Sequence, residues 1–122
     1  MLSNFGIGYS GIGQDLAVTF KHSTLKKGLD ENKPCKMSAN DTASICADGD
    51  RIKGIVGTID RDVCAVHLRG IFQLPYSGTA PTVGFSKLVA DGNGGVKVDA
   101  SGDEFRVFRV DTTDSTVHFY YI

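Results

Sequence analysis

The chain has 122 residues, of which 41% are hydrophobic, and its 13 Lys and Arg nearly balance its 14 Asp and Glu. This length fits one domain with a core of its own, and the balanced charge argues against nucleic acid as the main partner, since phosphate binding needs a clustered basic surface. No apolar run is long enough to span a bilayer, and the segment from Met1 to Gly13 lacks the pattern of a signal peptide, so we expect synthesis in a cytosol.

Residues 1–14 differ in kind from the rest of the chain. Glycine recurs at about every second or third position, which makes the backbone a poor isolated strand. The apolar residues between the glycines are nevertheless spaced as if something covers them. Two interpretations stay open: they tuck onto the parent domain, or the segment is an arm that docks on a partner. In the second case the partner-binding residues are Phe5, Ile7, Tyr9 and Ile12.

Residues 15–122 form the predicted β-domain, because short β-rich runs alternate there with clusters of Gly and Asp. We expect an all-β fold, a compact barrel or sandwich of antiparallel strands, with strands at 15–20, 51–59, 63–68, 70–74, 85–90, 96–98, 105–110 and 116–122. A short turn of helix is predicted near Ser38–Ser44, where Ser38, Asn40 and Asp41 can serve as caps. The apolar phase changes between Phe105 and Val110, which indicates a β-bulge or burial on both faces.

The chain also carries a weak internal echo. Gly49-Asp50 recurs 53 residues later as Gly102-Asp103, whereas Asp60 and His67 recur 51 residues later as Asp111 and His118. A duplicated hairpin module would explain this pattern, and so would the common construction of all hairpins, so both explanations stay open.

The cysteines Cys35, Cys46 and Cys64 are odd in number and widely spaced, which fits neither a disulfide framework nor a zinc site. We predict that all three are free thiols. Cys64 lies in the apolar run Val63-Cys64-Ala65-Val66, where it is expected to be a small buried hydrophobe.

No catalytic or cofactor motif is found: the chain has neither a nucleophile elbow nor a phosphate-binding loop. His67 and His118 fall in separate predicted strands without a second ligand two residues away, which favours packing over metal binding. Cys64 and His67 are three residues apart and so point to opposite faces of a strand.

Turn geometry explains the clustered aspartates better than a calcium loop does; these are Asp48, Asp50, Asp60 and Asp62. We therefore predict no enzyme activity, no cofactor and no metal.

The order of features resembles a known family. A lead-in strand, Leu16-Ala17-Val18-Thr19-Phe20, precedes the glycine-marked segment Leu25-Lys26-Lys27-Gly28, and a second such segment, Thr82-Val83-Gly84-Phe85, precedes the final hairpin. The most specific part is Val66-His67-Leu68-Arg69-Gly70-Ile71-Phe72-Gln73-Leu74. This layout resembles the small bacteriophage capsid decoration, or cement, proteins over roughly residues 15–122. The resemblance implies a β-barrel-like domain on the outside of a viral shell, bound to the major capsid protein, often as a homotrimer, without catalytic residues.

Three functional hypotheses follow. The first is a structural accessory protein of the virion that is made in the host cytoplasm and stabilises the phage head from its outer surface. The second is a carbohydrate-binding or adhesin-like β-domain of a tail or fibre, against which the absence of Trp counts. The third is a small enzyme built on His67, His118 and a nearby Asp. A glycan array separates the second hypothesis from the first, and metal analysis tests the third.

Overall fold

The computed structural model describes residues 16–121, and this part of the chain is all β-structure without a helix. The fold class predicted from the sequence is therefore confirmed. The strands are β1 (Leu16–Lys21), β2 (Pro34–Ala39), β3 (Thr42–Ile45), β4 (Gly54–Asp60), β5 (Val63–Pro75), β6 (Gly84–Ala90), β7 (Val96–Val98), β8 (Asp103–Asp111) and β9 (Thr116–Tyr121).

Strands β1 to β5 close into a barrel, called here the first barrel. Their order is β1-β3-β2-β4-β5, and β1 pairs back onto β5 to complete the ring. The β1–β3 contact is parallel, whereas the other pairings of the ring are antiparallel. Burying apolar side chains drives this closure. The buried cluster of the first barrel comprises Leu25, Cys35, Ala43, Val56, Ile59, Cys64 and Val66.

The second unit is built on the other half of the long strand β5. Residues 70–75 pair with β9, and the sheet continues through β8 and β6 to β7. A parallel bridge between Tyr76 and Val96 leads from β7 back to the end of β5. Between the two halves of β5 stands Gly70 with φ 135°, a backbone conformation that side chains rarely tolerate. The core of this unit includes Phe72, Leu74, Leu88, Phe105, Val107, Val117 and Phe119.

The first barrel and the second unit have the same topology. In the first, β2 pairs with β3 and β4, and β4 pairs with β5; in the second, β6 pairs with β7 and β8, and β8 pairs with β9. β1 contacts β3 in parallel and β5 antiparallel, and the 70–76 stretch makes the same two kinds of contact with β7 and β9. The internal echo therefore corresponds to a structural repeat in which one strand serves both units.

The register aligns the two units residue by residue and corrects the alignment expected from the sequence. The pair Val56–Val66 corresponds to Val107–Phe119, and a register shift follows immediately in both hairpins. As a result, Gly57 corresponds to Phe108. His67 corresponds to Tyr120, not to His118 as the echo indicated, because the turn between β8 and β9 is longer than the turn between β4 and β5.

Two further expectations need correction. The helical turn predicted near 38–44 is wrong: this stretch is the β2–β3 hairpin, which turns at Asp41 with φ 56°. An Asp tolerates this left-handed conformation better than most residues, so the Asn-Asp pair marks a turn and not a helix cap.

The strand predicted at 51–59 begins only at Gly54, and the strands predicted at 63–68 and 70–74 are one continuous strand. The predicted bulge is confirmed, between Val107 and Arg109.

The loop at 46–53, which joins β3 to β4, holds the two units together, and we call it the clamp loop. Gly49 donates its N–H to the carbonyl of Ala90 at 2.9 Å, and Ala90 donates in return to the carbonyl of Asp50 at 2.9 Å. Ion pairs join Asp48 to Lys97 at 2.7 Å and Arg51 to Asp103 at 2.9 Å. Cys46 and Ile52 of this loop are buried in the core of the second unit, so the units form one packed body.

Candidate functional site

The four predicted partner-binding residues lie outside the described residues: Phe5, Ile7, Tyr9 and Ile12. Their point of attachment is described. Leu16 pairs with Arg69, and Ala17 pairs with His67, so residues 1–15 join the domain beside the middle of β5, where the two units meet.

A pocket of about 390 Å³ opens beside the same stretch of β5. Its apolar lining residues are Ile55, Val56 and Phe72, and Phe72 also packs on Phe119 in the core of the second unit with ring centroids 5.9 Å apart. Its polar lining residues are Glu31, Asn32, Thr58 and His67. A mostly apolar cavity with a few convergent polar groups is the usual form of a binding site.

The pocket exists because of the bulge in β4. Between the pairs Val56–Val66 and Ile59–Cys64, two residues of β4 face a single residue of β5. One of these two is Gly57, and a Cβ atom at this position would lie only 2.7 Å from Nε2 of His67. The glycine thus brings the His67 ring onto the β4 backbone. The N–H of Asn32 donates to the carbonyl of Val56 at 2.7 Å, which fixes the loop that forms the rim.

The mixed apolar and polar lining suits an amphipathic group. Glu31 already accepts a hydrogen bond from the N–H of Gly28 at 2.8 Å, so its carboxylate is oriented by its own loop. His67 is half-buried, as the sequence predicted for a histidine in the middle of a strand, but it lines a cavity and does not merely pack between strands. Sequence reasoning missed the pocket because its lining comes from a loop, a bulge and two halves of one strand.

A second feature lies on the outer face of the second unit. Register places Phe85 of β6, Arg106 of β8 and Tyr120 of β9 side by side in one row. The guanidinium carbon of Arg106 lies 5.4 Å from the ring centroid of Phe85 and 5.9 Å from that of Tyr120. Phe85 is 59% exposed and the nearby Val83 is 61% exposed. We call Val83, Phe85, Arg106 and Tyr120 the aromatic–arginine face.

The other titratable residues considered as site candidates are engaged in packing, ion pairs or turns. His118 is buried with its ring 5.9 Å from that of Phe108, and burial lowers its pKa, as does the neighbouring Arg109. Asp50 accepts a hydrogen bond from Lys36 at 2.6 Å, which lowers the pKa of this carboxyl. Asp111 accepts the N–H of Thr113 and closes its turn. Across residues 16–121, no group of three or more His, Cys, Asp or Glu side chains is placed to hold a metal ion.

The three cysteines are free thiols, as predicted, and all three are buried, which the sequence predicted for Cys64. Burial raises the pKa of Cys35 to about 12 and that of Cys46 to about 11, and it also raises the pKa of Cys64. Cys64 belongs to the interior cluster of the first barrel, whereas His67 lines the pocket, so the two side chains do not form a nucleophile–base pair. A buried thiol with a raised pKa is a poor nucleophile.

The part of the chain that the structure describes contains no helix long and apolar enough to cross a membrane. Comparison with known protein families and with curated proteins finds no family model and no curated sequence that matches the chain.

Proposed function

We propose that this protein is a structural accessory protein of a bacteriophage head that binds the outer surface formed by the major capsid protein and stabilises the shell. The observation that supports this proposal best is the aromatic–arginine face, in which the exposed Val83, Phe85 and Arg106 lie near the half-buried Tyr120 on a packed body. Tyr and Arg are enriched among the residues that dominate protein–protein binding energy, and large exposed apolar groups mark interaction surfaces.

The face is held in shape before any partner arrives. Arg106 lies between two aromatic rings, which restricts a side chain that otherwise has many rotamers. The strands that carry the face belong to a sheet whose core is fully buried, and the clamp loop joins this sheet to the first barrel. A preorganised surface loses less conformational freedom on binding and therefore binds more tightly.

A single face of four residues supports only a modest affinity. The strength of attachment therefore depends on how many faces bind at the same time. A capsid presents its sites in symmetric clusters, and a homotrimer engages several of them together. In this proposal the segment at residues 1–14, with Phe5, Ile7, Tyr9 and Ile12, supplies a second contact that reaches from the domain onto the shell. Burying four such side chains contributes on the order of 6–10 kcal/mol before the cost of ordering the segment.

The test is a capsid co-sedimentation assay with purified heads that lack the protein. We expect that deleting residues 1–13 and changing Arg106→Ala each weaken binding at least tenfold, which corresponds to about 1.4 kcal/mol. Lys87→Ala is the matched control, because Lys87 is exposed on the same strand as Phe85 but outside the aromatic–arginine face. Full-strength binding by both altered proteins would refute the proposal.

One observation favours a second candidate, a carbohydrate-binding domain. An exposed aromatic ring such as Phe85 is a possible platform for the apolar face of a sugar, and an arginine beside it can donate hydrogen bonds to hydroxyl groups. A glycan array discriminates between the candidates. Specific glycan binding that disappears in Phe85→Ala, together with no sedimentation with heads, would establish the carbohydrate-binding function instead.

A further inference from the structure

The pocket beside β5 has no part in the proposed function, and it lies where the two units meet. Ile55 and Phe72 belong to the core of the second unit, whereas Val56 belongs to the buried cluster of the first barrel. All three are at most 7% exposed, so packing fixes the apolar part of the lining. The volume of about 390 Å³ is within the range of small-molecule sites, which occur preferentially at such junctions.

The repeat shows what stands at the corresponding position of the second unit. Gly57 and Phe108 occupy the same position of the same bulge. The ring of Phe108 lies 6.3 Å from that of Tyr120, and Tyr120 corresponds to His67 of the pocket. The second unit thus has an aromatic ring where the first barrel has a glycine that lines a cavity. A ligand with one aromatic ring would complete the same arrangement against His67.

Glu31 determines the charge that such a ligand needs. It is the one carboxylate among the lining residues, which include neither Lys nor Arg. Its two oxygens accept the N–H of Gly28 at 2.8 and 3.1 Å, which holds the carboxylate in place. No cationic side chain among residues 16–121 forms an ion pair with it, since the nearby Lys33 pairs with Asp30. A fixed carboxylate without a counterion, beside apolar surface, favours a cationic ligand.

We propose that the pocket binds a small arylalkylamine, which is one aromatic ring joined by a short chain to an ammonium group. The ring packs against Phe72, Ile55 and the ring of His67. The ammonium group pairs with Glu31 through a charge-assisted hydrogen bond. A ring without a cation, or a cation without a ring, uses only half of this lining and binds more weakly.

This inference does not depend on the proposed function. None of the four residues of the aromatic–arginine face lines the pocket, so binding of heads and binding of an amine are separate properties of the protein.

The test is a titration of the full-length, ¹⁵N-labelled protein with 2-phenylethylamine, followed by NMR. We expect the amide signals of Gly57, Thr58 and His67 to shift, with a dissociation constant on the order of 0.1–1 mM for a ligand this small. The neutral analogue 2-phenylethanol keeps the ring, and butylamine keeps the charge. Each should bind at least about fivefold more weakly than 2-phenylethylamine.

Two variants separate the contributions of charge and ring. Glu31→Gln should abolish the preference for the amine over the alcohol and leave binding of the alcohol unchanged. Asp60→Asn is its matched control, because it removes an exposed carboxylate of β4 that does not line the pocket. Gly57→Phe gives the first barrel the ring that the second unit has at Phe108, and it should prevent binding of all three probes. Thr112→Phe, at an exposed turn of the other hairpin, should have no effect.

A further variant covers the case in which Gly57→Phe fails to fold. Thr58 is an exposed lining residue, and Thr58→Lys supplies Glu31 with a counterion from the chain itself. We expect it to weaken binding of 2-phenylethylamine at least about tenfold. Equal binding of the amine and the alcohol by the unaltered protein would overturn the proposal. So would an unchanged preference in Glu31→Gln, or undiminished amine binding in Thr58→Lys.

Discussion

His118 makes the stability of the protein depend on pH. Burial, and then the charge of Arg109, lower the pKa of His118 from 6.5, while Asp111 opposes them weakly. The unfolded chain therefore binds this proton more readily than the folded protein does. Stability is complete above pH 6.5 and falls as the pH drops from there towards the lowered pKa of the folded state. Urea unfolding at a series of pH values should show this slope, and His118→Gln should remove it. An equal slope in the two proteins would show that other groups are responsible.

His22 is a second histidine with an energetic consequence. It is 9% exposed, and neither ring nitrogen has a hydrogen-bond partner among residues 16–121. A buried polar atom without a partner costs about 1–3 kcal/mol. We expect His22→Leu, which keeps a similar volume, to raise the free energy of unfolding by about 1 kcal/mol. His67→Leu serves as a comparison at a half-buried position. A loss of stability in His22→Leu would indicate that the ring has a partner.

At this scale the sequence predicts whether a side chain is buried, but not what it faces. The apolar neighbours of Cys64 correctly indicate a buried thiol. The role of Gly57 is not predictable in this way. It depends on which residues of β5 lie opposite the bulge, and this register is a tertiary property.

Close backbone contact between β4 and β5 requires a glycine at the start of β4. A Cβ atom on Gly54 would lie 2.5 Å from Cγ1 of Val66 and 2.9 Å from the carbonyl oxygen of His67. The backbone oxygen cannot move aside cheaply, so the strands must separate. We expect Gly54→Ala to lower the free energy of unfolding by about 2 kcal/mol, the usual range for overpacking. Chemical denaturation measures this, with Lys53→Ala at the adjacent exposed position as the control. Equal stability of the two variants would contradict the argument.

The elements that the sequence predicts well are those with strong β-propensity and clear turns. Strands β6, β7 and β8 agree with their predicted positions to within about two residues. Strands β2 and β3 are not predicted, because their Lys, Met, Ser and Thr side chains are mostly half-buried and show no clean alternation. Their pairing with each other and with β4 stabilises them, and such non-local pairing overrides weak local preference.

The whole molecule should unfold as one cooperative unit, although it contains a repeat. Cys35 and Cys64 belong to the core of the first barrel, and Cys46 belongs to that of the second unit. Because the units share β5 and the clamp loop, we expect the three thiols to resist a thiol reagent in native protein and to become reactive together at one urea concentration. All three should titrate without reductant. Exposure of Cys46 at a lower urea concentration than Cys35 would show that the units unfold separately.

The architecture as a whole lies beyond sequence reasoning for a specific reason. The echo between the units is visible, but its alignment of His67 with His118 is wrong, because the two hairpin turns differ in length. Sharing of β5 is also hidden, since the stretch around Gly70 reads as a break between two strands. Only the observed pairings show that β1 and β4 pair with opposite edges of β5. The β1–β5 pairing closes the first barrel.

Both ends of the described chain meet at the middle of β5. Leu16 pairs with Arg69 and Tyr121 pairs with the next residue, Gly70, so their Cα atoms are separated by no more than about 15 Å. The gene can therefore be circularly permuted without an added linker: residues 1–15 are long enough to bridge this distance, and new ends can be opened at the exposed Gly78 between β5 and β6. Such a protein begins with the second unit and ends with the first. Its new termini would lie beyond Pro75, at one end of β5, whereas Leu16 and Tyr121 pair at the middle of this strand, so a cargo fused there would sit apart from the original ends of the described domain.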